Sequence, residues 1–223
     1  MAVRDRLLSI WLHCIQTWDR YRLRRLRARH AGLEIHPTAS SNFASAKFEL
    51  APGARLRIGP GVVTERVPGG LHFVVEKGGE IVVGEGGWLH SEHGSLRLIA
   101  YESGRIVLEP RCWLNSCHIS AKREVYLGTN CGIGAGTRVF DSDQHALDEA
   151  TPEKAEAVHI GRHVWVATDV TILKGVTIGD HSVIGARSVV ARSIPEHSLA
   201  LGSPAKRVRS IGDRSKVPLL GLG

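Results

Sequence analysis

The sequence predicts an all-β solenoid wound from hexapeptide repeats and preceded by one amphipathic α-helix. Ile160, Val166, Ile172, Ile178, Ile184 and Val190 follow one another at steps of six. Four residues after each stands a second inward candidate, medium or small: Val164, Val170, Val176, Ser182, Ser188 and Ile194. The grammar of Ile160-Gly161-Arg162-His163 then returns in Ile178-Gly179-Asp180-His181, eighteen residues later. A helix repeats its core position every 3.6 residues and a half-buried strand every second, so neither yields a period of six. Short flat strands forming the walls of a coil do, three hexapeptides to a turn, because equivalent positions stack from coil to coil into one core.

The first element is the helix. Residues 1–30 hold Arg4, Arg6, Arg20, Arg22, Arg24, Arg25, Arg27 and Arg29 against Asp5 and Asp19, which is +6 of the chain's formal +7. Leu7, Ile10, Trp11, Cys14, Ile15, Trp18 and Tyr21 recur at three- and four-residue steps, the spacing of one helix face. A face of this kind with arginines beyond it suits an anionic membrane surface. It equally suits a cap over the open apolar end of a solenoid, and the two roles are compatible. Nucleic acid is not expected, because the main domain offers no basic groove to accompany the helix.

Residues 31–210 are read as the solenoid and 211–223 as a C-terminal tail. Units related to the regular repeats begin at Ile58 (IGPGVV), Val83 (VGEGGWL), Leu108 (LEPRCWL) and Leu127 (LGTNCGI), with steps of 25, 25 and 19 and then 33 to Ile160. The early coils therefore carry extra residues at corners. The long last step predicts a protruding loop of about fifteen residues, since insertions leave a repeat core without disturbing its stacking. That loop is the polar stretch 141–157, DSDQHALDEATPEKAEA. Glycine at the second place of a unit, as at Gly161, is expected where a Cβ would crowd the turn.

A chain of 223 residues, 43% hydrophobic with 25 Gly and 5% aromatic residues, has enough apolar material for one sizeable core in a turn-rich fold. No apolar run approaches the roughly twenty residues of a spanning helix, and no signal peptide is apparent, so a reducing, cytoplasmic setting is expected. Cys14, Cys112, Cys117 and Cys131 form no CxxC pair, which argues against a zinc knuckle. Cys112 and Cys131 each fall four residues after an aliphatic anchor and are expected to be core thiols.

From Leu127 to Arg209 the chain resembles the hexapeptide-repeat O-acetyltransferases that act on maltose, galactosides, Nod factors, colanic acid and related polysaccharides, and streptogramins. The motifs are IGRHVW, ILKGVTIGDHSVIGARSVV, IPEHSLALGSPAKRV and a histidine in the acidic loop, DSDQHAL. The resemblance implies a left-handed parallel β-helix and a homotrimer whose site is shared between subunits. It also implies acetyl-CoA as co-substrate, no metal, and a sugar or glycan acceptor. The sequence departs from the pattern at Ala167, where a glycine is usual after VW.

His145 matches the family's catalytic histidine. An alcohol is a weak nucleophile, and imidazole titrates near working pH, so a positioned histidine suits the role of base. Asp141, Asp143 and Asp148 flank it, and Asp143, Glu153 or a backbone carbonyl would fix its tautomer. Asn115, and Asp143 with it, stand on the acceptor side, Asn115 at the place where similar galactoside and maltose enzymes touch the sugar. A buried structural amide is the alternative for Asn115. Trp88, Trp113 and Trp165 each fall five residues after an anchor and are expected to form a ladder. The resemblance puts Trp165 beside the pantetheine arm and the amides of Ala167 and Thr168 beside the thioester, with Ala186 close by. Oriented amides there would steady an oxyanion. It assigns the phosphate end to Lys206 and Arg209, with Arg207 and Arg192 near them. Alternatives left open are a zinc hydratase using His159, His163 and His181, an N-acetyltransferase of sugar nucleotides, and a non-catalytic scaffold.

Overall fold

The structure is a computed structural model that describes residues 2–92, 94–146 and 148–218. The side chains of Arg4, Asp5, Arg6 and Leu7, Leu147 of the expected loop and residues 219–223 of the expected tail lie outside the described residues.

Each regular hexapeptide becomes a two-residue strand and a four-residue turn, as in Trp165–Val166, Thr171–Ile172, Thr177–Ile178, Val183–Ile184 and Val189–Val190. The chain passes through three sheets in a fixed order. Wall 1 holds seven strands, from Leu33–Ile35 through Arg55–Ile58 to Thr177–Ile178. Wall 2 holds eight, from Val63–Thr64 to Ala205–Ser210, and wall 3 seven, from Lys47–Leu50 to Val189–Val190. Neighbours within a wall are consecutive coils and pair in parallel, except that wall 2 closes on an antiparallel pair, Ser198–Gly202 with Ala205–Ser210, and the solenoid is a left-handed β-helix with one N-terminal helix.

The register measures the coils. Leu56 pairs with Ile81 and Ile81 with Ile106, steps of 25; Ile106 pairs with Val125, a step of 19; Val125 pairs with Val158, a step of 33. Ile160 pairs with Ile178 at the expected eighteen. Ile58, Val83, Leu108, Leu127, Ile160 and Ile178 form one buried column of wall 1. Each such side chain contributes on the order of 1.5–3 kcal/mol by leaving water. The small inward positions bind instead of filling: Ser182 Oγ accepts from the Ser198 amide (3.2 Å), and Ser188 Oγ accepts from the Gly202 amide (3.0 Å). They stitch the last coil to the closing segment. At Gly161 a Cβ would stand 2.7 Å from the Asp180 amide nitrogen, which is why the turn takes glycine. The surplus of the early coils sits between walls 2 and 3, at residues 65–70 and 91–95, where the fourth coil has only Ser116 and Cys117.

Helix α1 runs Ala2–Arg29 and packs on a 3-10 turn, Ser41–Ser45, which takes the place of a wall-2 strand in the first coil. The packed face is not the apolar stripe expected from the sequence. Asp19, 1% exposed, receives a two-pronged bond from Arg66 (2.8 and 3.1 Å), Leu23 is buried, and Leu26 packs against the core. Trp11 at 60% and Trp18 at 58% stay exposed with Ile10, Cys14 and Tyr21; among the described residues of that stripe Ile15 alone is half-buried. The helix caps the solenoid with one face and leaves its aromatic face outward. No helix among the described residues is long and apolar enough to cross a membrane.

Cys112 and Cys131 are buried, their Sγ atoms 3.3 Å from Gly128 O and 2.7 Å from Gly161 O. Burial pushes the Cys117 thiol up to about 12. Cys14 is exposed.

Candidate functional site

The predicted residues divide between two corners of the coil. Along wall 2 the register runs Trp88, Trp113, Gly132, Trp165, Val183 and Leu199, and ends at Arg209 in the final antiparallel strand. The Trp113 and Trp165 rings stack at 5.4 Å and 5° although their strands are two steps apart. Strands lie roughly 4.8 Å apart. The rings meet because Gly132, between them, has no side chain. Trp88 instead donates from Nε1 to Glu65 at 2.6 Å. An apolar strip of Trp165, Val183 and Leu199 thus leads to the exposed Lys206 and Arg209, whose side chains have no ion-pair partner among the described residues.

At the corner from wall 2 to wall 3 stand Asn115, then, two coils on, Ala167 and Thr168, and in the next coil Ala186. The Ala167 amide donates to Ile184 O (3.0 Å), so it is spent on the ladder and cannot face an oxyanion as expected. Thr168 N–H has no partner among the described residues. Ala167 does not take a positive φ, so its methyl costs no backbone strain where the resembled pattern has glycine. The close contact falls on Gly134: a Cβ there would meet Ala167 C at 2.7 Å and Thr168 N at 2.8 Å. Asn115 Oδ1 is buried without a hydrogen bond among the described residues, and a shielded acceptor left unpaired costs on the order of 1–3 kcal/mol.

The other corner, from wall 3 to wall 1, carries the loop. Asp141 is buried at its neck and accepts from the amides of Lys122 (2.8 Å) and Arg123 (2.6 Å), while Ser142 and Ala155 bridge across it. Two lysines the sequence reading did not single out tie the loop to the coils on either side. Lys122 reaches Glu153 (2.8 Å) and Gln144 O (3.4 Å), and Lys174 pairs with Asp143. These hydrogen bonds hold both carboxyls below their usual range. Neither carboxylate touches His145. The exposed His145 ring has Nδ1 2.9 Å from Ala146 O. A carbonyl only accepts, so Nδ1 carries the proton and Nε2 presents a lone pair. Arg192 is register-equivalent to Lys174 and lies at this corner, not beside Lys206 and Arg209. Lys122 and Lys174 were legible only once the strand register was known.

The three histidines of the zinc alternative do not converge. His163 and His181 stack at 5.0 Å and 5°, His181 stacks on His197 at 4.8 Å, and His159 lies 3.3 Å from Glu124. Among the described residues no group of three or more His, Cys, Asp or Glu is arranged to hold a metal ion.

A coil of hexapeptides with an inserted histidine loop defines a class, and the comparisons agree with it. Residues 157–192 match the family model described as bacterial transferase hexapeptide (six repeats). A Staphylococcus aureus (strain Mu50) protein named "Putative acetyltransferase" is 41% identical over 106 residues, 40% of this chain and 53% of its own length. Galactoside O-acetyltransferase of Escherichia coli K12 is 49% identical over 59 residues, 26% of this chain and 29% of that enzyme. The chain therefore spans about half the length, or less, of these relatives. Among solved structures, the polySia specific acetyltransferase NeuO shares the fold, with a TM-score of 0.64 at 20% identity over 84% of this chain and 78% of that chain.

Proposed function

We propose that this protein transfers the acetyl group of acetyl-CoA to a sugar hydroxyl, with His145 as general base and a site shared between the subunits of a homotrimer. The observation that carries the proposal is the division of the candidate residues between two places on the coil. The corner from wall 3 to wall 1 offers a base with a fixed tautomer; wall 2 and its corner with wall 3 offer an apolar strip, a free amide and two unpaired cations. Within one chain they face different corners, so a second copy of the chain is needed to bring base and strip together, and closed cyclic assembly does this repeatedly.

Acetyl-CoA would supply an activated thioester acyl group. Trp165, Val183 and Leu199 fit its apolar arm, and Lys206 and Arg209 its phosphates. His145 Nε2 would take the acceptor's hydroxyl proton as the oxygen attacks and hand it to the departing sulfur. Of the two amides expected to face the oxyanion, Thr168 alone is free to do so. Asn115 Oδ1, without a hydrogen-bond partner among the described residues, suits an acceptor hydroxyl. The match to galactoside O-acetyltransferase supports a sugar acceptor. The outward aromatic face of α1 supports attachment at an anionic membrane surface and hence a polysaccharide or glycolipid precursor met on its cytoplasmic side.

The test is acetyl transfer from labelled acetyl-CoA across a panel of sugar and glycan hydroxyls, with amino sugar nucleotides included. His145→Ala should lower turnover by roughly 10² to 10⁴-fold while the Michaelis constant for acetyl-CoA holds. Full transfer by the variant would remove His145 from the chemical step, and transfer to amines alone would replace the acceptor class.

A further inference from the structure

Beneath α1, between the helix and the first coil, lies a cleft of about 270 Å³ with a floor of Leu23 and Ile35. Its rim is formed by Arg20, Arg24 and Arg27 of the helix and by His36 opposite. The arginines fall at i, i+4 and i+7, so all three emerge on one side of the helix. No acidic residue lines the cleft. The carboxylates closest in sequence are already engaged, Asp19 with Arg66 at 2.8 Å and Glu34 with Arg57 at 3.0 Å.

The arginines are correspondingly free. Arg20 and Arg24 make no ion pair or side-chain hydrogen bond among the described residues, and the one bond of Arg27 is a long 3.5 Å to Ile35 O. The negative C-terminal end of a helix favours cations in its last turn, which accounts for Arg27 and Arg29. Arg20 and Arg24 lie further back. His36 points to the same ligand chemistry: its Nδ1 accepts from the Thr38 amide (3.2 Å), so the neutral ring carries its proton on Nε2 and is a donor there. A concave site whose charged groups are all donors, with no internal counter-ion, calls for an anion, and planar guanidinium groups favour phosphoryl oxygens in particular.

We propose that Arg20, Arg24 and Arg27 with His36 form a binding site for a phosphate-bearing ligand. The site is separate from the candidate acyl-transfer residues, in the first coil rather than the last four. The exposed Ile10, Trp11, Trp18 and Tyr21 on the neighbouring flank of the same helix suit a phosphate carried on a lipid; a phosphate on a soluble molecule shares the same chemistry.

The experiment uses the full chain with Lys206→Ala and Arg209→Ala, so that the other basic patch contributes nothing. Calorimetric titration with inorganic pyrophosphate at low salt should show one site per chain. Adding Arg20→Gln and Arg24→Gln should weaken it at least about tenfold with no change in thermal midpoint, since two charge-assisted contacts are lost. Absence of binding to the parent, or equal binding by the added variant, overturns the proposal. Flotation with phosphatidylglycerol vesicles separates the sources. Vesicle binding lost both in Arg20→Gln/Arg24→Gln and in Trp11→Ala/Trp18→Ala, the latter keeping pyrophosphate, identifies a lipid headgroup. Pyrophosphate binding without flotation identifies a soluble phosphate. Neither arm measures acetyl transfer, so the outcome is independent of the proposed activity.

Discussion

Single residues in this protein act mainly by what they leave room for. Gly132 lets Trp113 and Trp165 stack across it, and Gly134 lets the Ala167–Thr168 backbone approach. Gly134→Ala should therefore cost stability, because backbone rather than a flexible side chain stands 2.7 Å from the new Cβ; a thermal melt with an unchanged midpoint would contradict this. The thiols divide as sharply. In the native protein one cysteine, Cys14, should react with a disulfide reagent at pH 8, and all four after unfolding, since Cys112, Cys117 and Cys131 are buried and the Cys117 thiol is pushed up to about 12. A native count above one would mean that the coils open. Cys112 and Cys131 were legible as core residues from their place in the repeat, whereas Cys117, equally buried, was not singled out. The state of Ala167 was not legible, because an amide's partner depends on the next coil.

Among the elements, the loop and the helix show why a sequence pattern locates a segment better than it orients one. The loop 141–157 was legible as an interruption of an exact period. Its clamps were not, because Lys122 and Lys174 precede and follow it in chain order and meet it only through the strand register. The helix was legible as apolar and basic, but hydrophobic spacing named the outward face; the packed face depends on Asp19, a charged residue whose partner Arg66 lies 47 residues away. Two predictions belong here. Lys174 and Lys122 hold the Asp143 and Glu153 carboxyls below the usual carboxylate value of roughly 4. The two pairs are thus fully present above pH of about 4 and are lost as pH falls through the lowered values. Carbon-13 titration of the two carboxyls should give midpoints below those of model peptides; midpoints at or above them would mean that the loop is untethered. In the closing hairpin, Lys206→Ala with Arg209→Ala should raise the Michaelis constant for acetyl-CoA and leave turnover at saturation nearly intact, the pattern of lost uniform binding. An unchanged constant would make the hairpin plain surface.

At the scale of the whole molecule, the proposed assembly predicts a trimer in sedimentation at working concentration, and, assayed at acetyl-CoA well below saturation, mixing His145→Ala chains with Lys206→Ala/Arg209→Ala chains should restore part of the activity each lacks. A stable monomer, or no restoration in verified mixed trimers, would separate the fold from the shared-site proposal. Fold class was the most legible property of all, because a solenoid repeats its evidence in every coil, whereas the ends of a solenoid occur once each. Those ends have a further consequence. Parallel strands stacked coil on coil would offer, at either terminus, a ladder of open backbone groups on which another molecule could continue the stack. Here the first coil is roofed by α1 and its 3-10 turn, with Asn42 Nδ2 donating to Thr64 O at 2.8 Å. At the far end Ser198–Gly202 is met by Ala205–Ser210 running the opposite way, out of register at Leu199 and Ala200 and bearing Lys206, Arg207 and Arg209. The last strand of wall 3 is two residues long. Growth along the axis is closed off at both ends of wall 2, which disfavours polymerisation of a protein built like a fibre.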